Sequence, residues 1–101
     1  MGYTVNLLFV YLPSPEMAVE RVAKRVAAGG HNIPEEVVHR RYERALLNLF
    51  TLYIPICDYY LLIDNSGISP VEVARGGLKT EVVVSNVVLW ENLSSHYGNN
   101  R

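Results

Sequence analysis

Val5-Asn6-Leu7-Leu8-Phe9-Val10-Tyr11-Leu12, closed by Pro13-Ser14-Pro15, is the stretch on which the fold turns. It is apolar on both alternations and rich in strand formers, the pattern of a strand covered on both faces, as in a parallel sheet. Pro13-Ser14-Pro15 stops that strand and starts a helix, with Ser14 as N-cap and Pro15 at the first helical position. From Glu16 to Ala28 the apolar residues Val19, Val22, Ala23 and Val26 recur at helical spacing, opposite Glu20, Arg21, Lys24 and Arg25. Gly29-Gly30 ends the helix, since glycine takes a positive φ without steric cost.

A second helix is expected from Pro34, capped by Asn32 or Ile33, with Glu35 and Glu36 favourably placed in its first turn. Its buried stripe is expected to be Val38, Tyr42, Ala45, Leu46, Leu49 and Tyr53, and Pro55 marks its end. Tyr59 to Ile63 reads as a second, doubly apolar strand, with Asp64-Asn65-Ser66-Gly67 as a turn at its carboxyl end. Strand, helix, helix, strand is a crossover that favours two parallel strands in one α/β sheet. Beyond it, Val71 to Ala74 and Glu81 to Val84 flank Arg75-Gly76-Gly77 as a hairpin with its turn at those glycines. Asn86 to Ser94 reads as a last short helix, and the polar end Ser95 to Arg101 is expected to fray.

With 101 residues, half of them apolar, the chain reads as one domain, 1–101, able to fold without disulfides or metal. Nine basic residues against ten acidic ones remove the electrostatic footprint of a nucleic-acid binder. Cys57 is the sole cysteine, so nothing implies an oxidising compartment, and it reads as a small buried residue. No basic side chain stands in Met1-Gly2-Tyr3 ahead of the apolar run, and that run is about half the length of a bilayer span. The expectation is a cytoplasmic protein with no membrane partner.

Chemistry enters with the arginines. Arg21, Lys24, Arg25, Arg40, Arg41 and Arg44 supply six of the nine basic residues, all on the two helices that flank Gly29-Gly30-His31. Arg21 and Arg25 share one helix face, as do Arg40 and Arg44. Folded back on each other, the helices either gather guanidinium groups into a polyphosphate site, or leave them on a wet surface neutralised by Glu16, Glu20, Glu35, Glu36 and Glu43. His31 and His39 have no metal-ligand spacing around them, so no metal site is expected; His31 reads as ordering the turn. Asp64-Asn65-Ser66 follows a strand directly, where open parallel sheets collect ligands, and is either a base- or sugar-binding edge or an Asx turn closing on Gly67. No Gly-x-x-x-x-Gly-Lys-Ser/Thr loop is present, since Gly29-Gly30 runs into His31-Asn32 and Gly76-Gly77 into Leu78-Lys79-Thr80.

Gly2-Tyr3, the strand to Leu12, Arg21-Val22-Ala23-Lys24-Arg25-Val26, Gly29-Gly30-His31-Asn32-Ile33-Pro34, Arg40-Arg41-Tyr42 and Asp64-Asn65-Ser66 occur in this order. Together they resemble the C-terminal half of the zeta-toxin-like P-loop kinases, over roughly residues 2–70. The resemblance implies a partial P-loop kinase-like α/β fold: a parallel sheet with a two-helix lid, followed here by a C-terminal hairpin and helix. It implies ATP and magnesium as ligands, and phosphoryl transfer to a UDP-sugar-like or other small molecule. Arg25, Arg40 and Arg41 would then approach the nucleotide phosphates, Asp64, Asn65 and Ser66 would line the base pocket, and Gly29, Gly30 and His31 would form the lid turn. No catalytic residue is assigned, because the family's phosphate-gripping loop lies ahead of the matched segment. Such a chain is expected to be inactive alone, and to pair with a second copy or a completing polypeptide through the Val5–Leu12 strand edge unless Thr80 to Val84 covers it.

Overall fold

The computed structural model describes residues 3–98. Met1, Gly2 and residues 99–101 lie outside the described residues, and with them the start of the chain, the Gly2 end of the resemblance and the last part of the tail expected to fray. The order is β1 (Asn6–Tyr11), α1 (Pro15–Ala27), α2 (Glu35–Asn48), a π-helical turn (Leu49–Tyr53), β2 (Tyr59–Asp64), β3 (Val71–Gly77), β4 (Thr80–Val84), α3 (Val87–Leu93) and a second π-helical turn (Ser94–Gly98). One mixed sheet has the strand order β1-β2-β3-β4. As the crossover favoured, β1 and β2 are parallel, Asn6 facing Tyr59 and Tyr11 facing Asp64. β3 and β4 follow antiparallel. Among the described residues no helix is long and apolar enough to cross a membrane.

Local signals set the helix boundaries. Ser14 Oγ accepts the Met17 N–H at 3.2 Å, and Pro15 opens α1. α2 departs from expectation at its start: Pro34 itself is the N-cap, and neither Asn32 nor Ile33 caps it. At its far end the chain slips into π geometry, the Ile54 N–H reaching the Leu49 carbonyl. That extra residue per turn rotates the buried stripe. Phe50, four residues after Leu46, is in the core, whereas Tyr53, expected inside, is exposed. On α1, Val22 is buried and Ala23 exposed, so the inward stripe is narrower than its spacing implied.

The helices and π-turns cover one face of the sheet. Leu46, Leu49, Phe50 and Leu93 pack there against Tyr11, Leu62, Val73 and Ala74. Burying a leucine of this kind contributes about 2 kcal/mol. A β-bulge explains why the neighbours Val73 and Ala74 are both inside: Leu62 faces Ala74 and Ile63 faces Glu72, which leaves Val73 as the additional residue. The hairpin turn is not Arg75-Gly76-Gly77. Those residues belong to β3, Gly77 faces Thr80, and Leu78-Lys79 make the two-residue connection.

At β1 one expectation fails and one alternative is removed. Leu8 and Val10 are 61% and 48% exposed, so the strand is covered on one face only. β4 lies at the opposite edge of the sheet, beside β3, and leaves the outer edge of β1 unpaired among the described residues.

The polar end does not fray through Gly98. Asn86 Oδ1 caps α3 through the Leu89 N–H, Trp90 stacks on Tyr60 at 6.1 Å, and Tyr97 stacks on Phe50 at 6.5 Å. Tyr97 also donates its hydroxyl to Glu43 Oε1 at 2.8 Å, tying the second π-turn to α2. Burial, then that carboxylate, pushes the Tyr97 phenol up to about 12. Above pH 10 the unfolded chain releases this proton while the folded chain holds it, so stability falls between pH 10 and 12. Burial raises Tyr11 and Tyr42 as well, in the same direction. Urea midpoints are expected to drop across this window, and to drop less in Tyr97→Phe.

Candidate functional site

Where β1 runs out at Tyr11, the chain turns into α1, and α1 and α2 stand beside the carboxyl end of the parallel pair. A cleft of about 320 Å³ opens there. Its walls are apolar, with Phe9, Leu12, Val22, Ile33, Val38 and Leu46 prominent among them. Arg21, Arg25 and Arg41 also line it, and no acidic residue does. Ligands of open α/β sheets collect at this end of the strands.

Helix geometry selects these three arginines. Arg21 and Arg25 are one turn apart on α1, with Ala18 and Val22 beside them. On α2, Arg41 lies three residues after Val38 and four before Ala45, on the flank of the buried stripe that faces α1. Arg40 is rotated about 100° from Arg41. It lines a separate depression with Glu43, Arg44, Leu47 and Tyr97. The expected set Arg25, Arg40 and Arg41 is therefore divided: Arg25 and Arg41 come together, Arg40 stands apart with Arg44, and Arg21 takes the third place. The alternation Val38–Arg41–Ala45 was the signal that separates the two flanks of α2.

The cleft is braced by polar contacts at its floor and side. The Tyr42 hydroxyl donates to the Leu12 carbonyl at 2.6 Å, which pins α2 to the end of β1. Burial raises the Tyr42 phenol and keeps it a donor. Arg21 Nη2 donates to the Asn65 carbonyl at 2.8 Å. Arg25 and Arg41 make no hydrogen bond or ion pair within the described residues. Two exposed arginines lining an apolar cleft, with no carboxylate paired to them, are suited to an anion carrying a flat or apolar body.

Asp64, Asn65 and Ser66 sit next to the cleft rather than in its wall. Asp64 Oδ1 accepts the Ser66 N–H at 2.9 Å, an Asx turn, and the Asn65 N–H donates to the Tyr11 carbonyl at 2.9 Å. Gly29, at φ +103°, and Gly30 close α1; their N–H groups reach the Val26 and Arg25 carbonyls. A Cβ on Gly30 would lie 2.8 Å from the Arg25 carbonyl oxygen, so the tight turn demands glycine there. His31 is exposed beyond it.

No family model, no curated protein and no solved structure matches this chain. The remaining candidates carry no chemistry of their own. Cys57 is 1% exposed, its thiol pushed up by burial and aimed at the Ile54 carbonyl, so it is a packed residue and not a nucleophile. His39 Nε2 lies 3.9 Å from Glu16 Oε2, a contact between the two helices. The described residues contain no group of three His, Cys, Asp or Glu side chains placed to hold a metal.

Proposed function

We propose that this chain is the nucleotide-side, lid-bearing part of an ATP-dependent phosphotransferase of P-loop kinase-like architecture, related to the zeta-toxin-like kinases. The observation that carries this reading is the cleft: unpaired Arg25 and Arg41 over apolar walls, at the carboxyl end of a parallel strand pair. Arg25 and Arg41 would hold phosphate oxygens through bidentate hydrogen bonds, and the apolar wall would take the flat body of the nucleotide. Gly29-Gly30-His31 is the lid turn in this reading, and Asp64, Asn65 and Ser66 shape the neighbouring rim. The acceptor is a UDP-sugar-like or other small molecule.

The residues present do not fit magnesium. The cleft has no carboxylate, and a hard cation takes oxygen ligands, so no step of phosphoryl transfer is assigned to this chain. Transfer needs the β- and γ-phosphates gripped and their charge offset, and the sequence contains no Walker A loop to do it. The 101 residues alone are expected to bind ATP weakly and to transfer no phosphate. Titration with ATP, with and without magnesium, tests this: saturable binding at the cleft supports it, and none at any concentration opposes it.

A second reading, a non-catalytic interaction module, has its own observation. β1 leaves a free strand edge, and Leu8, Val10, Tyr59 and Val83 lie on the sheet face that the helices leave bare. An apolar face beside an unpaired strand edge is a template for association. A strand added beside β1, from a second copy or a completing polypeptide, would pair the edge, and a layer packed on the sheet would cover the face. Sedimentation at rising concentration is expected to show a growing dimer fraction if the occupant is a second copy. A strictly monomeric profile would leave only the completing polypeptide.

A further inference from the structure

α1 meets the rest of the molecule chiefly at α2. Among the described residues its side chains make two polar contacts outside the helix and its cap: Glu16 with His39, and Arg21 with the Asn65 carbonyl. The first is an exposed contact at 3.9 Å that is ionic only when His39 is protonated. The second spans 44 residues of sequence at 2.8 Å and reaches an acceptor that is itself fixed. The Asn65 N–H is bonded to Tyr11, and the turn around it is closed by Asp64 and Ser66. Besides its packing on α2, α1 is thus tied to the Asp64–Ser66 turn by this one hydrogen bond.

The structure assigns Arg21 the role of a latch, a positioning residue that fixes α1 against the Asp64–Ser66 turn and so sets where Arg25 meets an anion. Arg25 is one turn further along the same helix face, so any swing of α1 carries its guanidinium with it. Arg21 is half-buried with one donor committed to Asn65. Its bond to Asn65 acts on the anion site through the position of Arg25, apart from what its remaining N–H donors contribute at the cleft. The width of the cleft follows from the latch: Arg21 and Arg25 form its α1 wall, Arg41 its α2 wall. Only the identity of the anion rests on the nucleotide reading.

Hydrogen exchange and an inorganic pyrophosphate titration test this on the whole chain. Arg21→Met keeps the apolar stem and removes the donor. Without any ligand it is expected to speed amide exchange in residues 15–27 while β2 and β3 keep their protection, a pattern that general destabilisation would not give. Pyrophosphate binding is expected to weaken about five- to ten-fold. Adding Arg21→Met to Arg25→Met is expected to cost less than the sum of the two single losses, because part of the Arg21 effect acts through Arg25. Arg21→Lys, which keeps the charge with a less directed donor, is expected to show the same changes in smaller measure and serves if the Met variant does not fold. Unchanged exchange in α1 would overturn the latch. Faster exchange with unaltered pyrophosphate affinity, or additive losses in the double variant, would overturn the coupling to Arg25. Faster exchange in a chain that binds no pyrophosphate at all would leave α1 latched by Arg21 and refute the anion site.

Discussion

Gly77→Val is expected to cost at least about 3 kcal/mol and to leave much of the chain unfolded at 37 °C. Gly77 ends β3 at φ +142°, a conformation that a β-branched residue does not adopt without strain. The space is closed too. A Cβ there would fall on the Asp58 carbonyl oxygen and lie 2.8 Å from Tyr59 Cα, and both neighbours are backbone, so neither can swing aside. The approach is close because the hairpin tip docks on the segment leading into β2: the Leu78 N–H bonds the Cys57 carbonyl and the Lys79 N–H bonds that of Asp58. Forcing a side chain in pushes the tip away, breaks those bonds and uncovers Cys57. Gly67→Ala is the control. It has no atom within 4 Å and no positive φ, so its urea midpoint should hardly move.

The second large effect concerns binding. Arg25→Ala and Arg41→Ala are each expected to weaken ATP binding about ten-fold or more, and together to abolish it, with melting temperature little changed. Each removes a charge-assisted fork to phosphate, typically about 1.5–3 kcal/mol. Neither guanidinium supports the fold through a hydrogen bond or ion pair among the described residues, so the losses should appear in affinity and not in stability. Arg40→Ala separates the sequence expectation from the geometry. It lies in the depression with Glu43 and Tyr97, and its loss should leave ATP affinity within about two-fold of wild type.

How far the chain discloses itself depends on the range of the physics involved. Pro13-Ser14-Pro15, the glycine stop at 29–30 and the Asx turn at Asp64 are local, and each is formed where the residues point. The parallel pairing of β1 and β2 was legible because two helices between two apolar strands leave few other connections. What the sequence hides is non-local. An apolar strand looks the same whether one face or two are covered, so the exposure of Leu8 and Val10 is not visible in it. A π-turn is one residue of slippage, and Tyr53, at its end, lies outside the core. The bond from Arg21 to a main-chain carbonyl 44 residues away carries no side-chain signature at Asn65 at all.

The gathering of guanidinium groups at the strand ends is the claim from which the rest follows, and amide chemical-shift mapping during an ATP titration tests it most directly. The account predicts shifts that concentrate around Leu12, Arg25, Ile33 and Arg41 and vanish in the Arg25→Ala, Arg41→Ala double variant. Shifts confined to Leu8, Leu61 and Val83 on the bare sheet face, or shifts around the cleft that survive in the double variant, would contradict it.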